Sequence, residues 1–96
     1  MQIKLTDLAL QDLEEARLYL AKRSYDGLKN VLEDIETTIL SIPDNLLAGR
    51  LTPRDDVRER ITPRYGYKIP YLVRGDILYI LRVYHPKRRS IEYDKI

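Results

Sequence analysis

The sequence predicts an α+β domain with the element order β-α-α-β-β-β, in which a helical hairpin packs on one face of a small antiparallel sheet. Two amphipathic helical stretches occupy the first half of the chain, and strand-like alternation of polar and apolar residues occupies the second half. A chain of 96 residues can bury one core but is too short for a second. We therefore expect a single domain over residues 1–96, with about 86–96 as a basic C-terminal tail or short helix.

The first half opens with the alternating stretch Gln2–Leu5, which predicts a short strand. Thr6 or Asp7 can cap the helix that follows, because a side-chain oxygen accepts hydrogen bonds from the free N–H groups of a first turn. Ser24 can cap a second helix that runs to about Ile42, where the next residue, a proline, ends it. The apolar stripes comprise Ala9, Leu13, Ala16 and Leu20 in the first helix and Leu28, Val31, Leu32, Ile35, Ile39 and Ile42 in the second. The solvent side of the second helix is assigned Lys29, Glu33, Asp34 and Glu36.

Strand-like patterns fill most of the second half, after a polar segment, Asp44–Asp56, that predicts a loop. The three predicted strands are Val57–Ile61, Arg64–Val73 and Ile77–Tyr84. Gly75 and Asp76 predict a type II′ hairpin turn, because glycine adopts the positive φ that this turn requires. Pro70 is unexpected inside a strand, since proline cannot donate a ladder hydrogen bond. The residues expected to lie between helices and sheet are Leu13, Leu20, Ile35, Ile39, Ile69 and Leu81, and the opposite sheet face is expected to carry the basic residues.

The net charge of +2 hides an uneven distribution along the chain. Residues 1–49 carry five basic against nine acidic residues, whereas residues 50–96 carry twelve basic against six acidic. This asymmetry indicates a fold with one positive surface. There is no cysteine and one histidine, so disulfides, thiol catalysis and a structural zinc site are not expected. No cofactor, metal or membrane contact is expected, and the absence of a secretory layout at the N-terminus favours a cytoplasmic location.

The second half also resembles a known family. The segment Tyr67–His85 is similar to the aromatic-x-Ile-Pro-Tyr-x-Val, turn, Ile-Leu-Arg-Val-x-His segment of the RelE/ParE toxins, and Pro70 is common in the ParE branch. The further residues that match family positions are Gly49-Arg50, Val57-Arg58-Glu59, Arg88 and Arg89, and, in the first helix, Ala9, Asp12-Leu13 and Tyr19-Leu20. The joint order and spacing of these motifs, rather than any one of them, identify the chain as a toxin of the ParE-like branch.

This resemblance implies a type II toxin–antitoxin module with one of two activities. ParE-like toxins act on DNA gyrase, whereas RelE-like toxins cut mRNA on the ribosome, and a cognate antitoxin neutralises either kind. We expect the antitoxin to dock on an apolar groove and an unpaired strand edge. A plain nucleic-acid-binding or antitoxin-type module is a third class, which is disfavoured because the two helices carry the acidic residues.

Two sets of candidate residues follow from these activities. The nuclease alternative would use Arg58, Arg60, Lys68, Arg82, His85, Arg88 and Tyr93 as cations and proton-transfer groups. Target binding by a ParE-like toxin would use Arg82, Lys87, Arg88 and Arg89. Glu59 and Ile61 occupy positions where the nuclease branch would have cations, so the gyrase activity is preferred and whether the protein is an enzyme is left open.

Each candidate also has a structural interpretation. His85 ends a strand just before a proline, where it can serve as a hydrogen-bonding residue at the sheet end rather than a general acid. Arg82 interrupts an apolar strand, so its guanidinium must reach solvent, a target phosphate, or a carboxylate such as Asp76 or Glu59. All eight aromatic residues are tyrosines, for which core packing is a commoner role than base stacking.

Overall fold

Two helices pack on one face of a five-stranded sheet in the computed structural model, which describes residues 1–96. The elements are β1 (Gln2–Leu5), α1 (Asp7–Ala21), α2 (Tyr25–Ser41), β2 (Arg50–Leu51), β3 (Arg58–Ile61), β4 (Lys68–Arg74) and β5 (Ile77–Ile80), with 3-10 turns at Ile42–Asp44 and Tyr93–Lys95. The α+β class and the order of the main elements are therefore confirmed. No helix has the length and apolar character needed to cross a membrane.

The sheet has the strand order β1-β5-β4-β3-β2, and it is mixed rather than wholly antiparallel. β1 pairs in parallel with β5, which the expectation of an antiparallel sheet missed. The two helices and three further strands separate β1 from β5 in the sequence. The direction of β1 relative to β5 is therefore a tertiary property that no local pattern encodes. A second correction is β2, which lies inside the segment expected to be a loop and pairs with β3.

The predicted turns and caps agree with the structure. Thr6 and Ser24 begin the two helices, and their hydroxyl oxygens accept hydrogen bonds from the N–H groups of Ala9 and Gly27, each at 3.1 Å. Gly75 has φ +59°, and no residue other than glycine has a positive φ, as a type II′ turn requires.

The core lies between the helical hairpin and one face of the sheet. Ile35, Ile39 and Ile69 belong to its buried cluster, and Leu13 and Leu20 pack against it while half-buried. Leu81 is buried as well, but it lies outside this cluster, opposite Pro70, on the other face of the sheet. Leu81 is thus buried as predicted, but it does not lie between the helices and the sheet, where it was expected.

Asp34 was assigned to the solvent side of α2, and this assignment is wrong, since the residue is 4% exposed. Its carboxylate accepts hydrogen bonds from the backbone N–H groups of Arg64, at 3.2 Å, and Tyr65, at 2.8 Å. These N–H groups lie in the turn between β3 and β4, whose remaining bonds include Thr62 Oγ1 accepting from Tyr67 N at 2.9 Å. Asp34 therefore fastens α2 to the β3–β4 turn.

The loop before β3 is held against the sheet by Tyr71. The Tyr71 hydroxyl donates to the carbonyl of Leu46 at 2.7 Å and accepts from the N–H of Gly49 at 3.2 Å. A Cβ atom at Gly49 would lie 2.4 Å from that hydroxyl oxygen, so the close approach requires glycine. Burial raises the pKa of the Tyr71 hydroxyl, which keeps it protonated and able to donate.

Pro70 lies in the middle of β4, a central strand, where proline is rarely tolerated. The N–H of Leu81 donates to the Pro70 carbonyl at 2.9 Å, but Pro70 has no N–H to donate in return. The Thr6 hydroxyl instead donates to the Leu81 carbonyl at 2.8 Å. The N-cap of α1 thus replaces the hydrogen bond that proline removes from the sheet.

Regular pairing of β5 ends at Ile80, earlier than the predicted Tyr84. The bond from Leu81 to β4 and the isolated bridge between Lys68 and Tyr84 leave two residues, Arg82 and Val83, opposite Ile69 alone. This is a β-bulge, which adds one residue to a strand and turns the following side chains to the other face. Val83 therefore faces the core again.

Replacement of Thr6 by valine should cost more stability than loss of a helix cap alone. Thr6→Val removes the acceptor for the Ala9 N–H and the donor to the Leu81 carbonyl, so the free energy of unfolding should fall by about 2–3 kcal/mol. Ser24→Ala is the matched control, because Ser24 only caps a helix, and it should cost about 1 kcal/mol. Urea denaturation of both variants measures the difference, and equal losses would contradict the role given to the Leu81 bond.

Candidate functional site

The buried carboxylate of Asp12, on α1, is the centre of the polar contacts between this helix and the bulge. The Asp12 side chain is 3% exposed and receives Arg82 Nε at 2.7 Å and Arg82 Nη2 at 2.9 Å in a bidentate pair. The N–H of Val83, which the bulge leaves without a ladder partner, donates to the same carboxylate at 2.9 Å. Asp12 thus accepts hydrogen bonds from both residues of the bulge, from the side chain of Arg82 and from the backbone N–H of Val83.

Arg82 was expected to reach solvent, a target, or a carboxylate such as Asp76 or Glu59. Its partner is the carboxylate of Asp12. The prediction of a carboxylate partner such as Asp76 or Glu59 named the wrong residues. The hydrogen bond to Asp12 also raises the pKa of the Arg82 guanidinium further. Arg89 binds Asp12 as well, at 3.0 Å, and Glu15 at 2.6 Å, so two of the four target-binding candidates are neutralised within the chain.

A cleft of about 210 Å³ lies between α1 and the segment that follows β5. Its lining residues are Asp12, Glu15, Ala16, Tyr19, Tyr67, Val83, Tyr84, His85, Arg88 and Arg89. Arg88 lies against the ring of Tyr19, with its guanidinium carbon 4.2 Å from the ring centroid, and donates a hydrogen bond to the Tyr67 hydroxyl. The cleft therefore joins two acidic residues of α1 to a run of cations after the last strand.

His85 lines this cleft, and both of its ring nitrogens form hydrogen bonds. The backbone N–H of Lys87 donates to Nδ1 at 3.2 Å, so the proton lies on Nε2, which donates to the Tyr65 carbonyl at 3.1 Å. The ring also packs edge-on against Tyr67, with centroids 5.2 Å apart. Burial, together with the nearby charges of Arg88 and Lys87, lowers the pKa of His85 below its usual 6.5, so the neutral form is favoured.

The sheet face opposite the helices carries a second polar cluster, around the buried residue Glu59. Lys68 Nζ lies 3.6 Å from Glu59, and the Tyr93 hydroxyl donates to the same carboxylate. Tyr93 also lies 3.2 Å from the Tyr84 hydroxyl. Burial and these hydrogen bonds raise the pKa of Tyr93 well above its usual range. The C-terminal segment thus folds back over this face, which was expected to be an open basic surface.

Arg58 and Arg60 lie on the other face of the sheet, because they pair in register with the core residues Tyr71 and Ile69. Arg58 Nη1 donates to the Gly49 carbonyl at 3.0 Å, and Arg60 Nη2 to the Ser41 hydroxyl at 3.3 Å. The nuclease candidates are therefore divided: Arg58 and Arg60 lie on the helix side, whereas Lys68 and Tyr93 lie on the opposite side.

Some residues at the cleft were not selected from the sequence for this role. Asp12 and Tyr19 appeared only as parts of the family pattern, and their spacing of seven residues, two helical turns, places them on one face of α1. Arg23 and Arg64 had no signal of their own. Arg23 stacks on Tyr19 with its guanidinium carbon 3.6 Å from the ring centroid, and Arg64 lies 5.3 Å from that of Tyr65.

The sequence of this chain matches the model of a known toxin family. A family profile described as "ParE toxin of type II toxin-antitoxin system, parDE" matches residues 3–89. The chain therefore belongs to the ParE toxin family, and the resemblance to the ParE-like branch is confirmed.

A solved structure supports the same assignment. The chain is similar to a protein of the chromosomal ParDE TA system from P. aeruginosa, with a TM-score of 0.77 and 25% sequence identity. The match covers 88% of this chain and 95% of that chain. No curated protein matches the chain significantly in sequence. The toxin class thus rests on the family profile and on the shared fold.

Replacement of Asp12 by asparagine should destabilise the fold strongly. Asp12→Asn keeps the size of the side chain but leaves the Arg82 guanidinium, 12% exposed, without a charged partner. Breaking a buried pair in this way costs about 3–5 kcal/mol. Glu14→Gln is the matched control on the same helix, because the pair of Glu14 with Arg17 is exposed and should matter little. Chemical denaturation compares the two variants, and a small loss in Asp12→Asn would refute the central role of this carboxylate.

The lowered pKa of His85 predicts a pH dependence of stability. A histidine with a lowered folded-state pKa binds fewer protons in the folded chain than in the unfolded chain, so its contribution is fully present above about pH 7. That contribution should be lost as the pH falls through the usual pKa of 6.5 toward the lower folded value. Because His85 is the only histidine, His85→Gln should flatten the loss between about pH 7 and pH 5. Denaturant midpoints across this range provide the measurement, and an unchanged slope in the variant would contradict the assignment.

Proposed function

We propose that this ParE toxin arrests replication in the cytoplasm by acting on DNA gyrase through its basic surface, and that a cognate antitoxin neutralises it. The observation that carries the proposal is the location of the unpaired cations. Lys87 and Arg88 have no carboxylate within ion-pair distance and are exposed, whereas Arg82 and Arg89 are neutralised by α1. A binding surface needs charges that are available to a partner, and these two candidates provide them.

The alternative, a ribosome-dependent mRNA endonuclease, is less well supported by the same geometry. Metal-free cleavage of RNA needs a base, an acid and cations around a single phosphate. Arg58 and Arg60 are bound to backbone and hydroxyl oxygens on the helix side, while Lys68 is paired with Glu59 on the other side. Groups on opposite faces of a sheet cannot converge on one phosphate, which favours binding over hydrolysis.

The edge formed by β2 is our candidate for the contact with the antitoxin. This strand is the last in the sheet order, so its outer backbone groups have no partner strand. Leu47 and Leu51, beside this edge, are 73% and 75% exposed. An extended partner segment could add to the edge and cover these leucines, which is a common mode of peptide recognition.

The gyrase proposal is tested with purified chain, gyrase and supercoiled plasmid, beside ribosomes translating a defined mRNA. The chain should cause gyrase-dependent double-strand breaks and leave the mRNA intact. The variant carrying both Lys87→Ala and Arg88→Ala should lose most of this effect, whereas Lys29→Ala, which removes an exposed charge on α2, should not. Melting temperatures must show that each variant is folded.

His85→Gln separates the two activities further. If His85 only supports the sheet end, gyrase-dependent breakage should persist in the folded variant, because no proton-transfer group has been removed. A nuclease that used His85 as its acid or base would lose about 10²–10⁴ in rate. Cuts in mRNA that disappear in His85→Gln, with gyrase unaffected, would refute the proposal and support the endonuclease.

A further inference from the structure

The cleft continues into a row of arginine–tyrosine contacts that crosses from α1 to the β3–β4 turn. Arg23 and Arg88 both lie against the ring of Tyr19, at 3.6 and 4.2 Å from its centroid. Arg88 extends from there to Tyr67, to whose hydroxyl it donates and from whose ring centroid it lies 5.5 Å away. The end of α1 and the segment after β5 are thereby joined by stacked guanidinium groups.

The same row extends past His85 to the turn before β4. The Tyr67 ring meets the His85 ring, and His85 binds the carbonyl of Tyr65, against whose ring Arg64 is placed. Lys87 and Arg64 line one shallow open depression, together with His85. We call Arg23, Arg88, Lys87 and Arg64 the cation row.

The cations of this row differ from their neighbours in having no carboxylate partner. The ion pairs of the chain engage Arg82 and Arg89 with Asp12 and Glu15, and Lys68 with Glu59, but none includes a member of the cation row. His85 is favoured in its neutral form, so it adds no charge between them. The row is therefore a continuous strip of four positive charges available to a partner.

The chemistry of the row fits a phosphate backbone better than a protein surface. Stacking on tyrosine fixes the plane of a guanidinium and leaves its N–H edge for paired hydrogen bonds to anionic oxygens. The exposed apolar area beside these charges is limited to parts of Tyr19 and Ile61, which are 38% and 37% exposed, since Tyr67 is 3% exposed and two arginines lie against the ring of Tyr19. Protein interfaces bury an apolar centre, whereas DNA interfaces are polar and strongly positive.

We propose that the cation row binds the phosphate backbone of duplex DNA, without reading its sequence. The proposal rests on the proposed function and deepens it, since it makes the DNA held by gyrase, rather than gyrase alone, a direct contact of the toxin. Arg23 and Arg64 then belong to the target-binding surface, in addition to Lys87 and Arg88. Arg82 and Arg89 do not belong to it, because α1 neutralises them.

The test is fluorescence anisotropy of labelled mixed-sequence duplex DNA with the full chain, over a series of salt concentrations. Each phosphate contact contributes roughly −0.9 to the slope of log affinity against log salt, so the row should give a slope of roughly −3 to −4. Arg23→Ala and Arg64→Ala should each weaken binding and reduce the slope by about 0.9. Lys29→Ala removes the same charge outside the row and should leave the slope unchanged. Arg64→Lys should retain the slope, since it keeps the charge.

Four other outcomes would be decisive. Binding to a polyglutamate peptide that depends on the row, with no binding to duplex DNA, would show a surface for acidic proteins and overturn the proposal. Duplex binding that is equally weakened by Lys29→Ala would reduce it to general charge attraction and overturn it as well. Normal DNA affinity and intact gyrase-dependent breakage in Arg23→Ala and Arg64→Ala would refute the inference and leave the proposed function standing. Row-dependent DNA binding without any effect on gyrase would support the inference and refute the proposed function.

Discussion

The rest of the structure depends on one buried carboxylate, that of Asp12. It receives hydrogen bonds from Arg82, Val83 and Arg89, and so ties the first helix to the bulge and to the segment after it. A buried charge without partners is costly, so loss of any of these partners would destabilise the fold. Because Asp12 pairs with Arg82 and Arg89, it also neutralises these two cations within the chain.

The pairing of β4 with β5 also leaves backbone groups without a partner in the sheet. Pro70 removes one donor from the ladder, and the bulge leaves the N–H of Val83 unpaired, two defects close together along the same pair of strands. Side chains of the β1–α1 region repair both: Thr6 supplies the missing donor to Leu81, and Asp12 accepts from Val83. Buried polar groups need hydrogen-bond partners. The irregular strand therefore requires the β1–α1 region beside it, because that region supplies the partners.

The charged residues of this protein matter through the specific ion pairs and hydrogen bonds that they form, rather than through the net charge of each half of the chain. The acidic first half supplies Asp12 and Glu15 to cations of the basic second half, and Asp34 to backbone N–H groups of the β3–β4 turn. Four cations without an ion pair, Arg23, Arg64, Lys87 and Arg88, lie where the end of α1, the β3–β4 turn and the segment after β5 meet. Surface electrostatics there follows from the fold, since a count of charges along the chain cannot tell a neutralised arginine from an available one.

The sequence by itself determined the class of fold, both helix caps, the hairpin turn and most of the core, because these depend on neighbours a few residues away. It also determined the family, through motifs whose order is linear. Only the tertiary structure decided that β1 runs parallel to β5 and that Arg82 pairs with Asp12. It also decided that Asp34 is buried and that Leu81 is buried outside the main core. Arg82 and Asp12 are seventy residues apart in the chain, and a contact at that separation arises from packing of the whole core rather than from any local pattern. The division of Arg58 and Arg60 from Lys68 between the two sheet faces follows from the register in which β3 pairs with β4, since a shift of one residue would move every side chain of a strand to the other face.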